Sequence, residues 1–528
     1  MKLILNIVFA LFIGNCNSQN FELFNNLATI GLDDNSRFQG LAVDSQYIYV
    51  IGDELIKRDS FETIVKPQTS VFDYRGNMLR SDPLIFPKKY LQVFSGNHQN
   101  LIKLNDSIYY VEFYTTISSM QYIGTSHMVK LNLRSGQVLE NKQIYNWGVS
   151  AVSYAPLKIQ DSKMVKAYQV NDTLGQIVEL DLDLNILKKL DIPLNKEYFS
   201  VIHLCEKNEK GEYELVGNSL KFDDKMQLAV DYLMFYLKID STGKLLKRRE
   251  YQPTKLFGVM SGQMYTVQRE TQSRDIIMTC FERIYLKNNI AELKPHTVRL
   301  SSEFDSLRWD TRMYEYIYSA DSITYLINHQ TILNDGSGVV AVGEMNSSRY
   351  SLPDYGFMYK VSMDGDSLWF RKYQPLGWDL LQSAWLSLRH AESTPYNTIA
   401  ICGVASDRIN EKLRSWLLQT DTHGCIIPGC EKIVSTKDIQ EGKARAFELY
   451  PNPVVNDRIY LISRVSTEDK ARISIIDLQG KLIKSMSLQL EEGVQYLIDL
   501  PQEIQAGEYI FRIESKAHLL NEKIVVGD

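Results

Sequence analysis

A chain of 528 residues exceeds what one ordinary hydrophobic core serves, so it divides into two to four domains or into one large closed β architecture with an appendage. With 44% hydrophobic and 23% charged residues it has enough apolar side chains for a real core, which excludes a disordered or fibrous chain. A net charge of −6 over this length excludes electrostatic recruitment by nucleic acid or by an anionic membrane, and 31 tyrosines with 20 phenylalanines favour strands.

The first element is a secretory signal over residues 1–18. Lys2 forms a short positive region, "LILNIVFALFIG" an apolar run of the right length, and Cys16-Asn17-Ser18 a small-residue approach to a cut between Ser18 and Gln19. The apolar run is too short for a membrane anchor. Asn15 fits poorly before a lipid-bearing Cys16. No later run approaches 18 apolar residues, so the mature protein is expected to carry no membrane span.

Residues 19–430 are organised by a repeat of strand, Asp- or Asn-containing turn, and strand. It recurs in "SVFDYRGNMLR", "VKLNLRSGQVLE", "VELDLDLNILKK", "YLKIDSTGKLLK", "VRLSSEFDSLRW", "YKVSMDGDSLWF" and "LLQTDTHGCII". Gly76, Gly136, Asn185, Gly243, Asp305, Gly365 and Gly424 mark the turns, because Gly, Asn and Asp tolerate the positive φ that a tight reversal needs. Ahead of most markers lies another apolar strand with a glycine, as in "YIYVIGDEL", "YELVGNSL", "GVVAVGEM" and "TIAICGVA". Such a unit matches one propeller blade, and seven copies predict an all-β, seven-bladed β-propeller. After Gly424 no room remains for the last blade's outer strand. The early segment "FELFNNLATIGL" is expected to supply it and so to close the ring.

Linear motifs for chemistry are absent from this stretch. The eight histidines are scattered, with no His-Glu-x-x-His helix, no Cys-x-x-Cys pair, no nucleophile elbow and no Gly-rich phosphate loop. Neither a metal nor a cofactor is expected, and no catalytic residue is assigned. "LDLDLN" and "SMDGDSLW" lack calcium-loop spacing and read as turn chemistry. The second is close to an Asp-box turn, which would itself be structural. Trp309 and Trp369 fall on outer strands, where packing between blades is the expected role. Trp147 and Trp378 fall in connections between blades, "YNWGVS" and "PLGWDLL", and are the candidate ligand contacts. Cys205, Cys280 and Cys402 read as buried thiols. Cys425 and Cys430, around a Pro-Gly turn in "HGCIIPGC", are close enough to form a disulfide in an oxidising compartment, two free thiols being the alternative.

Residues 431–446 are charged, without alternation, and read as a linker. Then "ELYPNPVV" opens a run of short alternating strands over 447–528, which predicts a small antiparallel, Ig-like β-sandwich. "LYPNPV", "IIDLQGKLI", "AGEYIFRI" and the terminal "EKIVV" resemble, in order, the type A C-terminal sorting domain of the type IX secretion system. That resemblance places Pro451, Asn452, Pro453, Gly480, Gly507, Tyr509 and Lys523 at the family's marked positions. It implies export by way of the periplasm and outer membrane, the secretion machinery as partner, and a secreted or surface-attached product. The "GCIIPGC" loop resembles the Cys-ended segment that often precedes such domains. The cargo is then expected to be a non-catalytic binding or adhesion module for an extracellular glycan or protein. A hydrolase or lyase with its site at the propeller centre is the alternative.

Overall fold

The computed structural model describes residues 23–28, 35–57, 63–84, 92–95, 101–116, 124–146, 157–171, 174–194, 199–222, 229–251, 266–285, 291–312, 323–347, 354–375, 384–407 and 412–426 of the first unit. In the second unit it describes 447–526 apart from a few short connections. The two compact units are Met1–Pro428 and Gly429–Asp528. Among the described residues no helix is long and apolar enough to cross a membrane.

The first unit is built from seven blades of a β-propeller in six sheets, because blades 5 and 6 are joined into one eight-stranded sheet by a single parallel bridge, Leu293↔Thr324. Blade 1 is Ser36–Val43, Ile48–Lys57, Thr63–Phe72 and Met78–Pro83, and blade 2 pairs Gln92–Ser95 and Ile102–Lys103 with Ile108–Thr116, Gly124–Asn132 and Gln137–Asn146. Blade 3 is Lys158–Gln160, Lys163–Asn171, Leu174–Asp181 and Ile186–Pro193, and blade 4 is Phe199–Lys207, Tyr213–Phe222, Ala229–Ile239 and Leu245–Tyr251. Blade 5 is Thr266–Arg269, Ile276–Tyr285, Ala291–Leu300 and Leu307–Arg312, and blade 6 is Ile323–Ile332, Val339–Ser347, Tyr355–Val361 and Ser367–Tyr373. Blade 7 takes three strands from the end of the unit, Ala384–Ser393, Thr398–Asp407 and Lys412–Asp421. Its fourth comes from the beginning, Phe24–Ala28, in register Phe24↔Gln419 to Ala28↔Ser415. The expected closure by the early segment is therefore present. Closing the array in this way removes a free sheet edge.

Apolar cores sit between successive blades. Tyr49 and Ile51 of blade 1 pack with Tyr109 and Val111 of blade 2, Met128 of blade 2 with Met164 of blade 3, and Val165 of blade 3 with Leu215 of blade 4. Around the ring the pattern continues with Tyr236 against Val298, Val342 against Leu388, and Cys402 of blade 7 against Phe38 of blade 1. Each fully buried large side chain contributes roughly 1.5–3 kcal/mol to this packing.

A second contact recurs outside these cores: the outer strand of each blade grips the tight turn of the next. Arg80 of blade 1 donates to the carbonyls of Leu133 and Arg134, Lys142 of blade 2 to the Asp183 carbonyl at 2.6 Å, and Lys188 of blade 3 to the Ser241 carbonyl. Lys247 of blade 4 pairs with Glu303 at 2.6 Å, Trp309 of blade 5 donates to the Met363 carbonyl at 2.9 Å, and Arg371 of blade 6 to the His423 carbonyl at 2.7 Å. In blade 7 the closing strand places Phe24 against Gly76 of blade 1. Trp309 also covers Gly365 and Trp369 covers Gly424, so both tryptophans pack between blades as expected.

The turns explain the Asp-rich spots. Asp73, Asp181, Asp240 and Asp421 each accept backbone N–H bonds from residues two and four further on, at 2.8 to 3.0 Å. Positive φ falls on Gly76, Gly136, Gly243, Gly365 and Gly424, and in the two degenerate copies on Leu184 and Phe304, one residue before the expected Asn185 and Asp305.

The C-terminal unit has strands Phe447–Val455, Arg458–Ser463, Ala471–Asp477, Leu482–Leu488, Gln495–Asp499, Gly507–Glu514 and Leu519–Val526. Phe447–Val455 pairs with Arg458–Ser463 up to Tyr450, loses register across Pro451-Asn452-Pro453, and meets Leu519–Val526 at Val454↔Val526. A proline offers no N–H to a ladder, so across this step the pairing is interrupted; the strand touches the other sheet at Val454 and pairs again with its first neighbour at Val455↔Arg458. Between the sheets lies a core that includes Phe447, Ile459, Ile475, Phe511 and Ile524.

Candidate functional site

The first strand of each blade is the inner one, since first strands bond to one another across blades while fourth strands run half-exposed on the rim. Four of them share one irregularity. A bulge inserts Gln39, His203, Asn328 and Arg389 as the extra residue in blades 1, 4, 6 and 7. Opposite the residue preceding each bulge stands a glycine of the second strand, Gly52, Gly217, Gly343 or Gly403. A Cβ at any of these would strike a backbone carbonyl oxygen of the inner strand, Arg37, Val201, Leu326 or Ser387 in turn. These are the glycines noticed in the sequence, and close backbone approach is their reason.

Bulges re-aim the side chains around them. Asn328 donates to Ser387 Oγ at 3.0 Å and to the Leu388 carbonyl at 2.8 Å, tying blade 6 to blade 7. The next residue in each of these two strands is a histidine. His329 and His390 stack with ring centroids 3.7 Å apart and planes 18° apart. His390 Nε2 lies 3.1 Å from Glu392 Oε1, and the backbone N–H of Ala391 donates to His329 Nδ1 at 3.4 Å. One potential ligand atom from each of His329, His390 and Glu392 falls within 4.8 Å of the others.

Both imidazoles are buried, whereas 35% of the Glu392 side chain is reached by solvent. Burial pushes the His390 pKa down to about 3, so the ring is neutral at physiological pH. Desolvation raises the Glu392 carboxyl against the opposing pull of His329 and Lys158. The side chain is thus partly reached by solvent while the surroundings of its carboxyl disfavour the charge.

Several other charges of the inner strands are paired. Glu206 accepts from Arg269 at 2.8 Å and lies 3.6 Å from Lys158, which joins blades 3, 4 and 5. Arg269 also pairs with Glu214 at 2.9 Å, and Arg37 pairs with Asp53 at 3.2 Å. Gln268 and Gln330 exchange amide bonds with backbone groups between blades 5 and 6.

In blade 5, Cys280 Sγ lies 3.6 Å from His296 Nδ1, and His296 Nε2 meets Asp310. The order thiol, imidazole, carboxylate is that of a nucleophile, base and orienting group. However, Cys280 is 0% exposed among Leu204, Val216 and Val298, so a substrate carbonyl has no approach to it. Burial and Arg312 also hold His296 down at about 4. The trio is a packed network inside a blade.

The residues singled out from the sequence fare unevenly. Trp147 and Trp378, the Ser18 and Gln19 cleavage site, Cys430 and Gly480 lie outside the described residues. Cys425 is buried in the turn of blade 7. Cys205, Cys280 and Cys402 are buried thiols. Pro451, Asn452 and Pro453 occupy the interrupted stretch of strand Phe447–Val455. Gly507 and Tyr509 lie on Gly507–Glu514, where the Tyr509 hydroxyl donates to the Gln505 carbonyl at 2.8 Å, and Lys523 pairs with Glu508 at 2.6 Å. Sequence reasoning missed the His329–His390–Glu392 group. Its signal is positional: "INH" and "LRH" hold the same place in successive repeats.

The fold and the C-terminal strands together define an exported β-propeller that carries its own address. Residues 448–527 match the family model described as the secretion system C-terminal sorting domain. That domain directs the protein through the type IX machinery across the outer membrane, to the cell surface or the medium. No curated protein matches the sequence. Among solved structures, an ulvan lyase described as a new polysaccharide lyase family, PL25, is similar at TM-score 0.43 and 7% identity, over 76% of this chain and 95% of its own. The polysaccharide lyase Uly1 follows at 0.40 and 10%, over 77% and 93%. A europium-containing methanol dehydrogenase gives 0.37 and 8%, over 74% and 80%. At these levels no residue role or activity passes from them to this chain.

Proposed function

We propose that the exported propeller is a binding or adhesion module that recognises an extracellular glycan or protein, with the sorting domain serving only delivery. The observation that supports this reading is the state of the inner carboxylates. Glu206, Glu214 and Asp53 each hold a cation. Glycoside hydrolysis needs two facing carboxyl groups in different protonation states, and the raised Glu392 is grouped with two histidines. A rigid ring with many loops suits recognition without chemistry. The loops that hold Trp147 and Trp378 are the proposed contact face.

The test has two arms. Deleting residues 447–528 should retain the protein inside the cell, and normal delivery of the shortened chain refutes the role of the domain. The mature protein is then incubated with a panel of acidic and neutral polysaccharides, with bound glycan and released product measured together. Retention without product supports the module, and Trp147→Ala with Trp378→Ala should weaken it while the melting temperature holds. Appearance of new reducing ends or unsaturated sugars would move the protein to the hydrolase or lyase reading. The raised Glu392 beside two histidines is the feature that favours that second reading.

A further inference from the structure

We propose that His329, His390 and Glu392 form a binding site for a divalent transition-metal ion of the borderline class, zinc foremost. Three features of this group carry the inference independently of the proposed ligand-binding role.

The donor set comes first. Two imidazoles and one carboxylate suit Zn²⁺, Co²⁺, Ni²⁺ or Cu²⁺, whereas Ca²⁺ and Mg²⁺ take oxygen ligands in greater number. Three protein donors leave a further position for water or an exogenous ligand.

Geometry is the second feature. Bonds of roughly 2.0–2.1 Å in a tetrahedral sphere set neighbouring ligand atoms a little over 3 Å apart. The His390 Nε2 to Glu392 Oε1 separation of 3.1 Å already meets this, and the whole set lies within 4.8 Å. Stacked rings bring their edges side by side, so one ion at a shared edge can meet a nitrogen of each. The backbone beneath is fixed, because each histidine follows a bulge clamped by a glycine, Gly343 or Gly403.

The third is the burial of the donors. His390 is fully buried, its ring stacks on that of the buried His329, and its Nε2 faces the partly exposed Glu392. Taking two imidazoles out of water costs the hydration of their ring nitrogens, ordinarily about 1–3 kcal/mol for each polar atom left unmet. An ion gives the pair of rings a reason to sit where ordinary apolar packing would serve the blade interface better. The partly exposed Glu392 provides the entry.

The experiment uses the full-length mature protein, freed of metal by a chelator and dialysed, and titrated with Zn²⁺ by calorimetry and with Co²⁺ by visible absorption. One equivalent should bind, and Co²⁺ should show the intense ligand-field bands of four- or five-coordination with nitrogen donors. Glu392→Gln, at the exposed end of the group, should weaken Zn²⁺ binding by about 10- to 100-fold, and His329→Ala or His390→Ala by at least as much. Circular dichroism and tryptophan fluorescence establish that each variant is folded. If removal of a buried histidine unfolds the blade, Glu392→Gln and the wild-type Co²⁺ spectrum still decide. Absence of stoichiometric binding to the wild type, an octahedral all-oxygen Co²⁺ spectrum, or unchanged affinity in folded Glu392→Gln each overturns the assignment.

Discussion

The strand that closes the ring offers the sharpest test of how the propeller is held together, through one side chain. Asn25 is buried, its Oδ1 accepts the Trp416 indole N–H at 2.6 Å, and its Nδ2 donates to the Gln374 carbonyl at 2.6 Å. It therefore joins the closing strand both to its neighbour in blade 7 and to the end of blade 6. Asn25→Ala removes both bonds. Trp416 is fully buried and its N–H finds no substitute, a cost of about 1–3 kcal/mol. Gln374 is half-buried and its carbonyl can turn to water, adding about 0.5–1.5 kcal/mol. The sum is about 1.5–4.5 kcal/mol of propeller stability. All six tryptophans precede residue 429, so tryptophan fluorescence during urea denaturation reports the first unit alone, and the sorting domain unfolds unseen. Asn26→Ala, on the exposed neighbour, is the control and should shift stability by no more than about 0.5 kcal/mol. If Asn25→Ala falls within about 0.5 kcal/mol of that control, the closing strand is not held in the manner described.

Three further outcomes follow from the fold. Gly343→Ala forces a Cβ onto the Leu326 carbonyl oxygen and should cost several times more than Gly336→Ala, where the space is open and only the positive φ opposes the side chain, at about 1 kcal/mol; equal melting temperatures would refute the clamp. Burial opposes ionisation of Glu179, but bonds from the Lys207 ammonium at 2.7 Å and the Tyr213 hydroxyl at 2.7 Å outweigh it and hold the carboxyl below its ordinary value. Its contribution is present above the unfolded carboxyl pKa and is lost as pH falls through the lower folded value. Glu179→Gln should therefore flatten the decline of stability below about pH 4.5, and an unchanged acid profile counts against it. Under non-reducing conditions the intact mass should show Cys425 and Cys430 two protons short, whereas full alkylation without reductant would establish two free thiols.

Much of the architecture was legible because turns obey local rules. A reversal that needs positive φ selects Gly, and an Asp, Asn or Ser at its start fixes the following N–H groups, so five of the seven turns announce themselves. The other two set Leu184 and Phe304 in that conformation, held by the Asp181 carboxylate and the Ser301 hydroxyl, and nothing in those two residue types betrays it. The second-strand glycines were visible but mute, since their reason is a carbonyl on the paired inner strand. The histidine group was hidden further still: His329 and His390 meet only because two bulged strands lie side by side, a fact of ring closure that no local window contains.

The pairing of Phe24–Ala28 with Lys412–Asp421 also sets a timetable. A ring whose final blade needs both the first and the last strand of the unit cannot shut until the strand Lys412–Asp421 has emerged, whatever the state of the other six blades. Every molecule must pass through an open form with one blade lacking its rim and two unpaired edges on display. The sorting domain lies still later in the sequence, so the address is completed only after the parcel can be sealed. Quality control on export could then act on a single event, the capture of a five-residue strand, rather than on the propeller as a whole.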